Sequence, residues 1–165
     1  MDIVIRRALA EDLAGAGTVT VEAFVAGGHT APGSAYAARL RDARPRSEEA
    51  ELLVAVDPAD GRVLGSVTFA PGGTPWADVA GPHEGEIRML AVAPSARGRG
   101  VGAALVTAAA DRSRALGLAG MAFSTMADMS AAHRLYERLG FRRSPDRDWS
   151  PRPGLGPLMV YSLTF

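Results

Sequence analysis

The residues Arg97-Gly98-Arg99-Gly100-Val101-Gly102 stand between an apolar run ending at Val92 and a helical pattern beginning at Gly102. Glycines let backbone N–H groups approach a ligand closely, and the unpaired N–H groups at a helix start carry partial positive charge. The construction suits a diphosphate, with Arg97 and Arg99 adding full charges at its rim. Other readings share these letters. A dinucleotide fingerprint, G-x-G-x-x-G/A, is met in relaxed form by Gly98, Gly100 and Ala103, but the acid expected about 20 residues on is missing from Ala115 to Thr125. A nucleoside-triphosphate loop would need a lysine, which the chain lacks. The glycines could also serve only a tight turn and close helix packing.

Composition narrows the chemistry further. All 18 basic residues are arginine, which removes Schiff-base lysine chemistry; the bias reflects either coding preference or a use of the guanidinium fork on phosphates. There is no cysteine, so disulfides, thiolate nucleophiles and thiolate metal sites are excluded, and a covalent acyl-enzyme would need serine or threonine. His29, His83 and His133 lie far apart with no second imidazole at helical spacing, so no metal is expected. His133 is expected on the exposed side of its helix, and His29 and His83 in loops. A formal net charge of zero gives no sign of a nucleic-acid or membrane partner. No stretch has the length of a signal peptide or membrane span, which makes the cytoplasm the default location.

The 165 residues fit one domain, 1–165, of ordinary globular composition. Ile3–Arg6 reads as a first strand, followed by a helix opening at Ala10-Glu11-Asp12-Leu13 and ending near Gly27-Gly28. A second helix is expected over about Ser34–Arg44, stopped by Pro45. Leu52–Val56 and Val63–Phe69 suit an antiparallel hairpin through Asp57-Pro58-Ala59-Asp60-Gly61. The Gly- and Pro-rich stretch Pro71–Gly85 reads as an irregular loop about as long as a compact domain tolerates without a functional reason. Then follow a strand (Ile87–Val92), a helix (Gly102–Leu116), a strand (Met121–Thr125), a helix (Ser130–Leu139), a short strand after Phe141 and a last strand (Leu158–Phe165). Early hairpin and later strand–helix alternation together imply a mixed α/β sheet.

With the elements in place, Arg97 to Gly102 resembles the coenzyme-A signature R/Q-x-x-G-x-G/A of the GNAT superfamily of N-acetyltransferases. A second segment, Ala132-His133-Arg134-Leu135-Tyr136-Glu137-Arg138-Leu139-Gly140-Phe141, resembles that family's A-x-x-L-Y-E-x-L-G-F, and the element order agrees along nearly the whole chain. The resemblance implies the GNAT fold: a mixed, mostly antiparallel central sheet flanked by helices, with a parallel pair splayed around the acetyl-CoA site. It further implies that Arg97, Gly98, Arg99, Gly100, Val101, Gly102 and Ala103 hold the diphosphate of acetyl-CoA, and that Leu90, Ala91 and Val92 bond the pantetheine arm like an added strand.

The implied activity is transfer of an acetyl group from acetyl-CoA to an amine of a small molecule or peptide, by direct attack in a ternary complex. An amine attacks a thioester only in its neutral form, so the reaction asks for a base and for an acid to protonate the leaving thiolate. The resemblance places Tyr136 near the coenzyme sulfur, as the acid; helical spacing with Leu135 and Leu139 equally describes a core aromatic. Glu86 is the candidate base, directly or through water, sharing a strand face with Arg88, Leu90 and Val92. It equally reads as a solvated carboxylate paired with Arg88 or Arg97, and Glu84 is a weaker candidate. Two departures stand out: Met129 where many relatives carry asparagine, and Ser124 where ribosomal-protein N-terminal acetyltransferases carry glutamate.

For the acceptor, the resemblance points to Val25–Tyr36, to the Pro71–Gly85 loop and to Ser144–Gly154. Asp146, Asp148 and Glu84 could attract a cationic amine, and Trp76 or Trp149 could stack on it, or these are simply solvated loops. The alternative to an enzyme is an acyl-CoA-binding sensor without turnover. An exposed edge strand would permit a homodimer.

Overall fold

The structure, a computed structural model, describes residues 2–151 and 156–165. Its strands are β1 (Val4–Arg7), β2 (Glu51–Val56), β3 (Val63–Pro71), β4 (Glu84–Val92), β5 (Gly120–Thr125), β6 (Arg142–Arg143) and β7 (Met159–Thr164). The helices are α1 (Leu13–Ala26), α2 (Ala35–Arg41), α3 (Arg44–Glu49), α4 (Val101–Ala115) and α5 (Ser130–Arg138). The strands form one mixed sheet in the order β1-β2-β3-β4-β5-β7-β6. The chain divides into two compact units, one of Met1–Phe69 with Met89–Ala109, the other of Ala70–Arg88 with Ala110–Phe165.

In the first unit β1 and β2 pair antiparallel from Val4↔Val56 to Arg7↔Leu53, and β2 and β3 from Glu51↔Phe69 to Val56↔Val63. Asp57 turns the expected hairpin: its side chain accepts from the Ala59 N–H at 2.9 Å, and its C=O accepts from the Gly61 N–H at 2.7 Å. An apolar core of Ala16, Ala43, Leu52, Val54 and Val56 packs with Ala8, Leu13 and Val63. Ser34 caps α2 by accepting from the Ala37 N–H at 3.0 Å.

Pro45 does something other than stop a long second helix. α2 ends at Arg41, and Pro45 lies in the first turn of the separate α3, where its fixed φ and missing N–H are no handicap. The fully buried Arg46 donates to the carbonyls of Arg39, Leu40 and Asp42 at 3.0, 3.0 and 3.1 Å, closing the C-terminal end of α2.

Gly65 of β3 sets how closely α4 approaches the sheet. A Cβ there would lie 2.8 Å from Val101 Cγ1, 2.9 Å from the Ala91 carbonyl and 3.0 Å from Leu105 Cδ1. Only the absence of a side chain lets the start of α4 and the end of β4 sit at their present distance from β3.

In the second unit β5 and β7 pair antiparallel over six positions, Gly120↔Thr164 to Thr125↔Met159, and β6 adds to β7 at Arg142↔Ser162 and Arg143↔Tyr161. The parallel ladder of β4 and β5 runs only over Glu84↔Gly120 and Gly85↔Met121 among the described residues, so the pair parts almost where it begins. Behind β5 lies an aromatic cluster. Phe123 meets Tyr136 at 4.7 Å and Phe141 at 5.0 Å between ring centroids, both edge-on, and Tyr161 is 5.7 Å from Tyr136.

Gly65→Ala is expected to lower stability by about 1–3 kcal/mol through overpacking against α4, read as a lower urea midpoint. Gly33→Ala, where a Cβ meets nothing within 4 Å, should leave that midpoint in place.

Candidate functional site

In the first unit the polypeptide leaves β4 through Pro94–Ala96 and reaches α4 by way of Gly98 and Gly100, whose φ angles are 76° and 78°. Both lie in the left-handed region that favours glycine. The first helical hydrogen bond runs from the Ala104 N–H to the Gly100 C=O at 3.0 Å, which leaves the N–H groups of Val101, Gly102 and Ala103 without partners inside the helix. Arg97 and Arg99 are exposed beside them. Amides at the positive end of a 15-residue helix, flanked by two exposed guanidinium groups, present donors and charge suited to an anion.

Just upstream, Leu90 and Val92 are partly buried, Ala91 is buried, and the Ala93 N–H donates to the Leu64 C=O at 2.8 Å. One sequence expectation fails here. Met89 has φ 55°, so β4 is not extended throughout and the alternation that would carry Glu86, Arg88, Leu90 and Val92 on one face is interrupted at Met89.

In the second unit Tyr136 stands on α5 and is 5% exposed among Phe123, Phe141 and Tyr161. Burial, with a smaller contribution from Tyr161, raises its pKa well above the ordinary phenol value, so the hydroxyl keeps its proton at neutral pH. Among the described residues that hydroxyl makes no hydrogen bond, whereas the neighbouring Tyr161 donates to Glu137 Oε2 at 3.0 Å. Tyr136 is thus both a core aromatic and an uncommitted donor. His133, expected on an exposed face, is partly buried: its Nε2 lies 3.0 Å from the Met126 carbonyl and its ring 5.5 Å from that of Tyr161. Met129 stands at the start of α5, where its sulfur accepts from the Thr125 hydroxyl at 3.6 Å.

Glu86 is not the solvated carboxylate that one sequence reading made of it. It is 1% exposed rather than solvated, and its Oε1 accepts the N–H groups of Asp78, Val79 and Ala80 at 2.9, 2.8 and 2.9 Å. Burial raises its pKa above the ordinary carboxylate value, opposed by those backbone bonds and assisted by the charge of Asp78. Arg88 reaches Asp78 at 3.4 Å and lies 5.3 Å above the Trp76 ring, so Trp76 already stacks on a cation of the chain itself.

Of the three carboxylates expected to draw in a cationic amine, Asp146 is exposed, whereas Glu84 and Asp148 are each taken by an arginine. Arg147 grips both oxygens of Glu84 at 2.8 and 3.1 Å. Arg143 grips Asp148 at 2.9 and 2.8 Å, and the Val160 N–H adds a third bond at 2.8 Å. The 63 residues between Glu84 and Arg147 explain why no local pattern announced that pair. Trp149 bridges to Leu158 at the entry to β7, and residues 152–154 of the expected acceptor stretch lie outside the described residues. No group of three or more His, Asp or Glu among the described residues could hold a metal ion, and no helix there is long and apolar enough to cross a membrane.

The Acetyltransferase (GNAT) family profile matches residues 20–141. Among solved structures, the fold matches a GCN5-related N-acetyltransferase from Kribbella flavida with a TM-score of 0.72 and 30% identity, covering 99% of this chain and 98% of that one. It matches the PaiA N-acetyltransferase of Thermoplasma acidophilum, solved in complex with coenzyme A, with a TM-score of 0.75 and 17% identity over 100% of both chains. The mycothiol acetyltransferase of Pseudarthrobacter chlorophenolicus is 40% identical over 101 residues, 58% of this chain and 28% of that protein. The chain spans about a third of the length of the curated relatives it matches.

The Glu84–Arg147 pair makes a pH prediction. The hydrogen bond from Arg147 lowers the Glu84 pKa below its ordinary value near 4.5, so the pair's contribution to stability is present above that value and is lost as pH falls through the folded-state pKa. Arg147→Ala should therefore melt below wild type at about pH 7, by a margin that narrows as pH falls below the ordinary carboxylate range, followed by circular dichroism.

Proposed function

Since the chain belongs to the GNAT acetyltransferase family, we propose that it transfers an acetyl group from acetyl-CoA to an amine, by direct attack in a ternary complex. The observation that carries this reading is the turn at the start of α4. Two left-handed glycines, three helix amides without helical partners and two exposed arginines converge on a geometry whose complement is a diphosphate. The backbone of Gly98 to Ala103 and the side chains of Arg97 and Arg99 hold that group, and Leu90, Ala91 and Val92 offer main-chain bonds to the pantetheine arm.

In the transfer step the neutral amine nitrogen forms a bond to the thioester carbonyl carbon, and the carbon–sulfur bond then breaks. Tyr136 gives the departing thiolate its proton and recovers one from the product side through solvent. Its unpaired hydroxyl and raised pKa fit a donor that is protonated before the reaction. Glu86 has Oε1 committed to three N–H groups, and the ammonium's proton passes to water rather than to that oxygen. A sensor that merely holds acyl-CoA has no need of an acid beside the sulfur.

Calorimetry with coenzyme A and thiol release from acetyl-CoA across an amine panel test the proposal together. Gly100→Ala forces an alanine into the left-handed region and should weaken coenzyme binding about tenfold, the equivalent of ~1.4 kcal/mol. Tyr136→Phe should lower kcat by about 10²-fold while the affinity for acetyl-CoA is kept. Absence of coenzyme binding in the wild type rejects the reading; binding without release on any amine leaves a sensor.

A further inference from the structure

The stretch between β3 and β4 reads in the sequence as a loop without internal order, and in the structure it is held by a row of charges on β4. Glu84, Glu86 and Arg88 are spaced two apart before the break at Met89, so they share one face of the strand. Each of the three reaches into the same loop. Glu84 Oε1 accepts the Gly81 N–H at 2.9 Å, Glu86 Oε1 accepts those of Asp78, Val79 and Ala80, and Arg88 donates to the Trp76 carbonyl at 3.4 Å. Arg147 completes the clasp, bonding the Val79 carbonyl at 2.7 Å while it grips Glu84. At the loop's neck the Gly72 N–H meets the Glu84 carbonyl at 2.8 Å.

Three consecutive N–H groups turned on one point are an anion-binding arrangement, and here the anion is a side chain of the protein. An oxygen spent in this way is a poor site for taking up a substrate's proton, because three donors crowd its two lone pairs and each bond favours the charged form. The charged groups around it are Asp78, Glu84, Arg88 and Arg147, all bound into the same clasp.

We infer that Glu86 is a positioning residue: with Glu84 and Arg88 it lays the loop of residues 76–81 along β4, and the loop so fixed forms a wall that the acceptor amine meets. The role in acceptor binding rests on the acetyl-transfer reading, whereas the anchoring does not. A loop of this length held by side chains of a neighbouring strand is the kind that carries function.

Amide hydrogen exchange and steady-state kinetics on wild type, Glu86→Ala and Glu86→Gln decide it. In the wild type the Asp78, Val79 and Ala80 amides should be protected despite lying in a loop. Glu86→Ala should speed their exchange at least tenfold, raise KM for the amine about tenfold and spare KM for acetyl-CoA. Glu86→Gln keeps an oxygen for the three N–H groups and should restore both protection and acceptor KM, with the pH–rate profile in place. Exchange of those amides at free-peptide rates in the wild type overturns the anchoring, even where the alanine variant does not fold. A loss of about 10²-fold or more in kcat for Glu86→Gln with protection intact overturns the inference in favour of proton transfer. Failure of acetyl transfer itself on every amine would remove the role at the acceptor wall, while the exchange data would still judge the anchor.

Discussion

A backbone N–H that leaves its helix or strand must find an acceptor, and this chain collects such groups at two places. At the start of α4, the amides of Val101, Gly102 and Ala103 are turned out of the helix beside exposed arginines. In the loop before β4, those of Asp78, Val79 and Ala80 turn inward onto Glu86. The same physics gives the two sets opposite uses. One set is left open at the helix start and the other is closed by the chain's own carboxylate. Gly65, which admits α4 to the face of β3, belongs to the first, and the charged row on β4 belongs to the second.

How much of this could be seen in the sequence depended on how local the cause was. The turn from Arg97 to Gly102 was legible because glycine's freedom and the helix start act within six consecutive residues. The α5 helix and Tyr136 were legible from apolar spacing and a recognisable segment. The partners of Glu86 were not, because the convergence of three amides depends on loop dihedral angles that no composition encodes. Glu84 and Asp148 looked like open carboxylates, since Arg147 lies 63 residues from the one and the Arg143–Asp148 grip depends on how β6 leads into the turn that follows. Pro45 was read as a stop because proline breaks a helix from within, yet the same missing N–H makes it a good first-turn residue once α2 has ended at Arg41. Met89 broke the face expected of β4 by a single left-handed residue that period-two reasoning cannot anticipate.

The exclusive use of arginine acquires a structural sense that composition did not supply. Arg46 bonds three carbonyls, Arg143 bonds Asp148 and the Val160 carbonyl while lying 5.7 Å over the Tyr161 ring, and Arg147 bonds Glu84 and the Val79 carbonyl. Each task takes a planar fork with several donors in fixed directions, which an ammonium cannot reproduce. Whatever set the codon usage, the folded chain employs guanidinium groups as multi-point clamps on loops and helix ends.

Trp76 lies inside the clasped loop, 7% exposed, with the Arg88 guanidinium over its ring. An indole shielded from water in this way emits at shorter wavelength than one that is hydrated, and a cation against its face alters its brightness. The chain has only one other tryptophan, Trp149. Detachment of the loop from β4 would therefore register as a change of colour in ultraviolet emission, so the protein carries a native optical gauge of whether that segment is seated.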